Sequence, residues 1–201
     1  MLSRNCPPAL NSPVRTVVDP SLIPAVRWSN GGGVTREAAV SPLDATFATF
    51  DWRLSVADIV ENGPFSFLPG VDRHSLMVSP GEVRMIIDGQ TKQWEMGAGA
   101  AFSGEANVRV EVLKGPTRNL NLITRRGRCR GSIALRRLNA SLFLGGGSGP
   151  VAVLVLSGSV GLKDGTCLEQ SHLLLPGPVE EKICGRDALI ALVHVEATSN
   201  R

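Results

Sequence analysis

The sequence predicts an all-β chain built of two antiparallel β-barrel halves, and three observations carry that prediction. Short runs rich in Val, Ile and Leu recur about every ten residues, each closed by turn residues. Glycine and proline are abundant, at 22 and 13 of 201 residues, which suits a chain that reverses often. A weak internal repeat gives the same order of elements twice. No segment keeps a 3.6-residue apolar period for ten residues, so helix is expected only as single turns, at 57–60 and near the C-terminal end. A content of 43% hydrophobic and 19% charged residues excludes a disordered chain and suffices for a buried core without disulfides or a structural metal. No run approaches the roughly 20 apolar residues that a membrane-spanning helix needs.

Residues 1–13 read as a flexible tail, and a first strand is expected at 14–18. The segment 23–28 runs into Ser29-Asn30-Gly31-Gly32-Gly33, a turn rich enough in glycine to adopt positive φ. Residues 34–40 then form a strand with Thr35 and Glu37 on one face. The strand at 50–57 places Trp52, Leu54 and Val56 on one face and Arg53, Ser55 and Ala57 on the other. Further strands are expected at 75–79, 83–88, 90–95, 108–113 and 119–124. The repeat pairs Val83-Arg84-Met85-Ile86-Ile87-Asp88-Gly89 with Ala152-Val153-Leu154-Val155-Leu156-Ser157-Gly158, and later Phe102-Ser103-Gly104 with Leu175-Pro176-Gly177. The halves meet near 126–131, and the glycine run at 145–149 is expected to be a hairpin loop inside the second.

The net charge of +3 is too small to imply a nucleic-acid or membrane partner by itself. Of the 21 basic residues, 17 are Arg. A planar guanidinium suits carboxylates and phosphates, although a GC-rich genome gives the same bias. The densest basic stretch, Arg125 to Arg137, has no interleaved aromatic residue for base stacking. It reads as a solvated connection, with Arg125 turned inward beside Asn121. The four cysteines (Cys6, Cys129, Cys167, Cys184) lack the spacing of a zinc or redox motif. With no secretory apolar region at the N-terminus, a cytoplasmic protein with reduced thiols is expected.

Four stretches are more specific. They are Trp28-Ser29-Asn30-Gly31-Gly32-Gly33-Val34-Thr35-Arg36-Glu37, Trp52-Arg53-Leu54-Ser55-Val56-Ala57, Asn62-Gly63-Pro64-Phe65-Ser66-Phe67-Leu68-Pro69-Gly70-Val71-Asp72-Arg73, and Asn119-Leu120-Asn121-Leu122-Ile123-Thr124-Arg125-Arg126. In this order they resemble the HutD/Ves family of small bicupins, over about residues 14–197. The resemblance implies a bicupin, with a first cupin barrel at 14–126 and a more degenerate second one at 127–201. It also implies a place in bacterial histidine utilisation, with a ligand such as urocanate or formylglutamate and a regulatory or sensing role.

Cupins commonly hold a metal with histidines and a carboxylate. Aligned on the strand that ends at Gly89, the ligand positions fall near 67–69, at Asp72 or Arg73, and near Asn107. These residue types do not make a cation site, and His74, His172 and His194 are scattered. The expectation is therefore no metal and no cofactor, and a pocket refitted with guanidinium groups. Arg53 and Arg73 are candidate carboxylate anchors, able together to hold a dicarboxylate at micromolar affinity. Asn30, Thr35, Glu37, Ser55 and Asn121 are candidate orienting groups, and Trp52 or Trp28 a candidate wall. Arg53 has a plainer reading, as a surface residue paired with Asp51. The partner expected is a small carboxylate metabolite, with no nucleic acid or membrane and with a homodimer left open. The alternative function is a metal-independent isomerase or hydrolase with Glu37 as base. Gly147-Ser148-Gly149 lacks the partners of a nucleophile elbow.

Overall fold

A computed structural model describes residues 15–28, 31–145 and 149–198. The expected tail at 1–13, the Gly147-Ser148 pair and Asn30 lie outside them. Among the described residues the chain is all-β, with one short 3-10 turn at Pro20–Leu22. After β1 (Thr16–Val18), the first half contributes β2 (Val26–Arg27), β3 (Gly33–Ser41), β4 (Trp52–Ile59), β5 (Gly63–Pro64) and β6 (Val71–Met77). It continues with β7 (Glu82–Ile87), β8 (Gln90–Glu95), β9 (Gly99–Ser103), β10 (Val108–Lys114) and β11 (Thr117–Arg125). The second half contributes β12 (Cys129–Leu138), β13 (Ser141–Leu144), β14 (Ala152–Ser157), β15 (Val160–Leu162), β16 (Cys167–Leu168), β17 (Leu173–Leu175), β18 (Glu181–Gly185) and β19 (Ala188–Ala197).

These strands form four antiparallel sheets. In the first half a six-stranded sheet runs β2-β3-β4-β11-β6-β9 and a four-stranded sheet runs β5-β10-β7-β8. In the second, a five-stranded sheet runs β1-β17-β14-β19-β12 and a four-stranded sheet runs β13-β18-β15-β16. The duplication is plain: β4-β11-β6-β9 maps onto β12-β19-β14-β17, and β5-β10-β7-β8 onto β13-β18-β15-β16, with a constant offset of eight strands. In the repeat read from sequence the pair Phe102-Ser103-Gly104 and Leu175-Pro176-Gly177 matches β9 with β17 correctly, while the pair of strands ending at Gly89 and Gly158 is one strand out. β14 takes the place of β6 rather than β7, because a strand closed by a glycine is too general a pattern to fix the match. Burial distinguishes them, since β14 lies in an inner sheet and is buried on both faces whereas β7 is half-exposed.

The apolar side chains show how the sheets stack. Ile59, Met77, Met85, Trp94 and Val110 join the two sheets of the first half, and Val153, Val155, Leu174, Ile183 and Ile190 those of the second. The largest cluster lies between the halves, where Trp52, Leu54, Leu120 and Leu122 meet Leu154, Leu173, Ala191 and Val193. The order of layers is therefore four-, six-, five- and four-stranded. No sheet closes on itself among the described residues, so each half is a pair of facing open sheets where closed barrels were expected. The short β2 and β5 end their sheets with no further strand beyond them.

Three local expectations are corrected. The helical turn at 57–60 is the end of β4, because Gly33 and Thr117 both pair with Ile59 and hold it extended. The C-terminal helical turn is absent too: β19 is an interior strand between β14 and β12, and its apolar run is buried on both sides. The first strand, placed with the first half, instead pairs with β17 of the second. The run from Arg125 to Arg137 does join the halves with its β12 arginines exposed, as a tight turn at Gly127 that leads directly into β12.

Gly131 shows how closely the halves approach. A Cβ there would lie 2.5 Å from Leu122 Cδ2 and 2.8 Å from Thr124 Cγ2. Gly131→Ala is expected to cost about 1–3 kcal/mol by overpacking, read as a lower midpoint in urea. A midpoint equal to the wild type would show that the layers have slack.

Candidate functional site

Alternation along β4, β6 and β11 gives the six-stranded sheet two different faces. One face carries Trp52, Leu54, Leu120 and Leu122 into the core between the halves. The other carries Arg53, Ser55, Arg73, Asn119 and Asn121 into the space between the sheets of the first half, where they line a cavity of about 340 Å³. Trp28, Phe47, Phe65 and Leu68 complete its wall from loops and edges, so the polar floor faces an apolar roof. A largely apolar pocket with a few convergent polar groups is the usual form of a small-molecule site.

Arg73 is the most unusual residue in it. Its side chain is 7% exposed, yet no carboxylate among the described residues pairs with it. Nη1 donates to the Ser66 carbonyl at 3.3 Å and Nη2 to Asn121 Oδ1 at 3.4 Å, both long bonds. Nε is buried without a partner. The guanidinium stacks over Phe65 and Phe102, 4.9 and 5.4 Å from the ring centroids. Burial pulls its pKa below the ordinary arginine value, to about 10, which still leaves it charged at neutral pH. A buried charge without a counter-ion is costly, and this one stands at the wall of a cavity.

Arg53 differs. Its Nη2 pairs with Glu37 Oε2, and its guanidinium stacks over Phe47 at 4.9 Å. Asp51, the partner weighed for it, instead takes an ion pair from Arg128 at 2.8 Å. Thr35 accepts a 2.7 Å hydrogen bond from Trp28 Nε1, which fixes the indole at the cavity edge. Asn119 accepts from Ser75 at 2.9 Å. Arg125 is not beside Asn121. It donates to the carbonyls of Phe50 (2.8 Å) and Phe47 (3.0 Å) and so anchors the loop that carries Phe47. Arg125→Ala is expected to free that loop, raising its backbone amide exchange well above that of β4. Unchanged protection at 46–50 would count against the anchor.

The structure thus brings Thr35, Arg53, Ser55, Arg73 and Asn121 to one cavity, with Glu37 attached through Arg53. Trp52 is not part of it. Its ring is fully buried on the opposite face, as the alternation with Arg53 requires. Phe47, Phe65, Phe102 and Asn119 escaped the sequence reading. The three phenylalanines sit in or beside loops and on an edge strand, where no alternation marks an inward side chain. Asn119 was legible, two residues from Asn121 on the same strand.

A family model described as HutD matches residues 21–181. The chain belongs to the HutD family. Relatives at about a third identity agree. Protein Ves of Cronobacter sakazakii is 34% identical over 148 residues, covering 73% of this chain and 78% of that protein. An uncharacterized 21.2 kDa protein in the hutC 3' region of Pseudomonas putida is 34% identical over 172 residues, covering 80% and 90%. The structure of HutD from Pseudomonas fluorescens is 23% identical with a TM-score of 0.75, over 92% of this chain and 100% of that one. A Cupin 2 conserved barrel domain protein from Leptotrichia buccalis is 12% identical with a TM-score of 0.59, over 91% and 96%, and shares the fold.

The donors among the described residues of this HutD chain do not fit a metal ion. No group of three or more His, Cys, Asp or Glu among the described residues is placed to bind a cation. His74 lies on the other face of β6 from Arg73, against a second cavity beside Ile133 and Leu135. His172 is spent in a turn, where Nδ1 accepts from the Glu169 amide at 3.0 Å. A bare guanidinium on the wall would repel a cation. No helix among the described residues is long and apolar enough to cross a membrane.

Proposed function

We propose that this protein binds a small carboxylate metabolite in the cavity of its first half and serves a regulatory or sensing role. The observation that carries the reading is Arg73: a buried, charged guanidinium with no counter-ion among the described residues, facing space the size of a metabolite. A carboxylate at Arg73 would satisfy the unpartnered Nε and replace two long hydrogen bonds by charge-assisted ones. Phe65, Trp28 and Leu68 would cover the body of the ligand, while Ser55 and Asn121 offer polar contacts. Membership of the HutD family, and a relative named for the hutC 3' region, support a setting in bacterial histidine utilisation. Urocanate and formylglutamate are then the acids to try first. The duplicated strand order supports reading each half as a cupin-type unit, the first of which keeps the pocket.

The alternative, an enzyme using Glu37 as base, is weakened by geometry. Glu37 does not line the cavity itself, and its carboxylate is engaged by Arg53. Calorimetric titration with urocanate and with N-formyl-L-glutamate, followed by analysis of the recovered acid, tests the proposal. Saturable binding with the acid returned intact is expected. Conversion of the acid would favour the enzyme, and absence of heat from both would remove these ligands.

A further inference from the structure

We infer that the free edge of β12 is a docking slot for an extended protein segment whose side chains alternate between apolar and acidic. β12 ends the five-stranded sheet, and no strand pairs beyond it among the described residues. It is ten residues long, without proline or bulge, so it lacks common guards of a sheet edge. The register shows which backbone groups are free. Val193 O accepts from Val151 N at 2.7 Å, and Thr198 N donates to Arg128 O at 2.9 Å. Odd positions of β19 therefore bond towards β14 and even ones towards β12. With Leu192 opposite Ala134 and His194 opposite Ser132, the even residues of β12 bond to β19. The backbone groups of Gly131, Ile133, Leu135 and Arg137 point outward.

The space beside this edge has room for one strand. β12 packs over β11 and β6, and β9 extends the six-stranded sheet on the far side of β6. β9 thus projects past β12 as a ledge. Its residues on the slot face include Gly99 and Ala101, opposite Leu76 and His74, small enough to leave headroom. A cavity of about 350 Å³ lies there, with His74 and Leu76 below and Ile133 and Leu135 at the side. Leu135 is 39% exposed. A strand laid on the ledge bonds to the β12 backbone and sets every second side chain against this apolar wall.

Charge selects its other face. There Ser132 and Ala134 are exposed between Arg130 and Arg136. Arg130 stands opposite Glu196 and Arg136 opposite Ile190. Neither guanidinium has an ion pair among the described residues, whereas Arg128 and Arg137 are paired with Asp51 and Asp187. Acidic side chains of a docked strand would meet both. Near the end of the ledge, Asp72 and Glu105 are already held by Arg126. A second copy of the chain fits poorly, because pairing β12 with β12 would drive each ledge into the place of the other's β6. The slot lies on the back of β6, whose other face carries Arg73 into the first cavity, and its test needs no acid bound there.

Fluorescence anisotropy on the full chain tests the slot with two labelled heptapeptides, Glu-Val-Glu-Val-Glu-Val-Glu and Lys-Val-Lys-Val-Lys-Val-Lys. The wild type is expected to prefer the acidic peptide by about tenfold, and binding to slow amide exchange at Ile133 and Leu135. The acidic peptide with proline in place of its central valine is expected not to bind, since it loses a donor to the edge. Arg130→Glu/Arg136→Glu changes two exposed side chains and is expected to reverse the preference with the urea midpoint retained. Absence of binding, equal affinities, a preference unmoved by the charge reversal, or protection away from β12 would overturn the inference. Self-association of the free protein that protects the same amides would overturn it too, by giving the edge to a second copy.

Discussion

Arg73→Gln is expected to weaken binding of a monocarboxylate by about ten- to a hundredfold while leaving the free protein as stable as the wild type or more so. The first effect follows from losing a charge-assisted bond of about 1.5–3 kcal/mol. The second follows from burial. In the free protein Arg73 is 7% exposed and its hydrogen bonds among the described residues are two long ones, so removing its charge removes a desolvation cost that no carboxylate among those residues offsets. Glutamine keeps an aliphatic stem against Phe65 and Phe102 and can still donate to Asn121. Arg73→Lys restores charge without the planar fork and should recover only part of the affinity. Loss of affinity together with a rise in melting temperature would identify a residue held for function rather than for the fold. Lower stability with unaltered binding would mean that Arg73 is a framework residue.

The other large effect belongs to Trp52. It is fully buried where the six- and five-stranded sheets meet, in contact with residues of both halves. Trp52→Ala should cost about 3–5 kcal/mol, enough to threaten a domain of ordinary stability. Because the largest apolar cluster spans the halves, both are expected to unfold in one urea transition, in variant and wild type alike. Trp52→Phe should cost much less. Indole Nε1 is buried with no hydrogen-bond partner among the described residues, and phenylalanine removes that unsatisfied donor along with some contact area. Ligand affinity of Trp52→Phe should match the wild type, since the ring faces away from the cavity. A fall in affinity without a fall in stability would return Trp52 to the binding site.

Much of the fold was legible in the sequence because period-two alternation is a strong local signal. The strand at 90–95 matches β8 residue for residue, and those at 83–88 and 108–113 match β7 and β10 to within one residue at either end. The same alternation separated Arg53 from Trp52 and so contained the correction of its own error about the indole. Pairing over long range was not legible. That β1 crosses to β17, or that β14 answers to β6, depends on which faces are covered, and single strands carry no record of their partners. At the candidate site, alternation placed Arg53 and Ser55 on the face that lines the cavity, but charge pairing was out of reach. Glu37 and Arg53 are sixteen residues apart on neighbouring strands with a bulge beside Glu37, and sequence does not show that this pair forms while buried Arg73 has no carboxylate partner among the described residues. The three phenylalanines around the guanidiniums sit in loops or at an edge, where sequence period says nothing of direction.

The most direct measurement is a crystal structure of the protein grown with saturating urocanate. The account predicts the carboxylate within hydrogen-bond distance of the Arg73 guanidinium, the ring against Phe65 and Trp28, and the Arg53–Glu37 pair intact. An acid bound in the second half, or in the first half with its carboxylate turned away from Arg73, would contradict it.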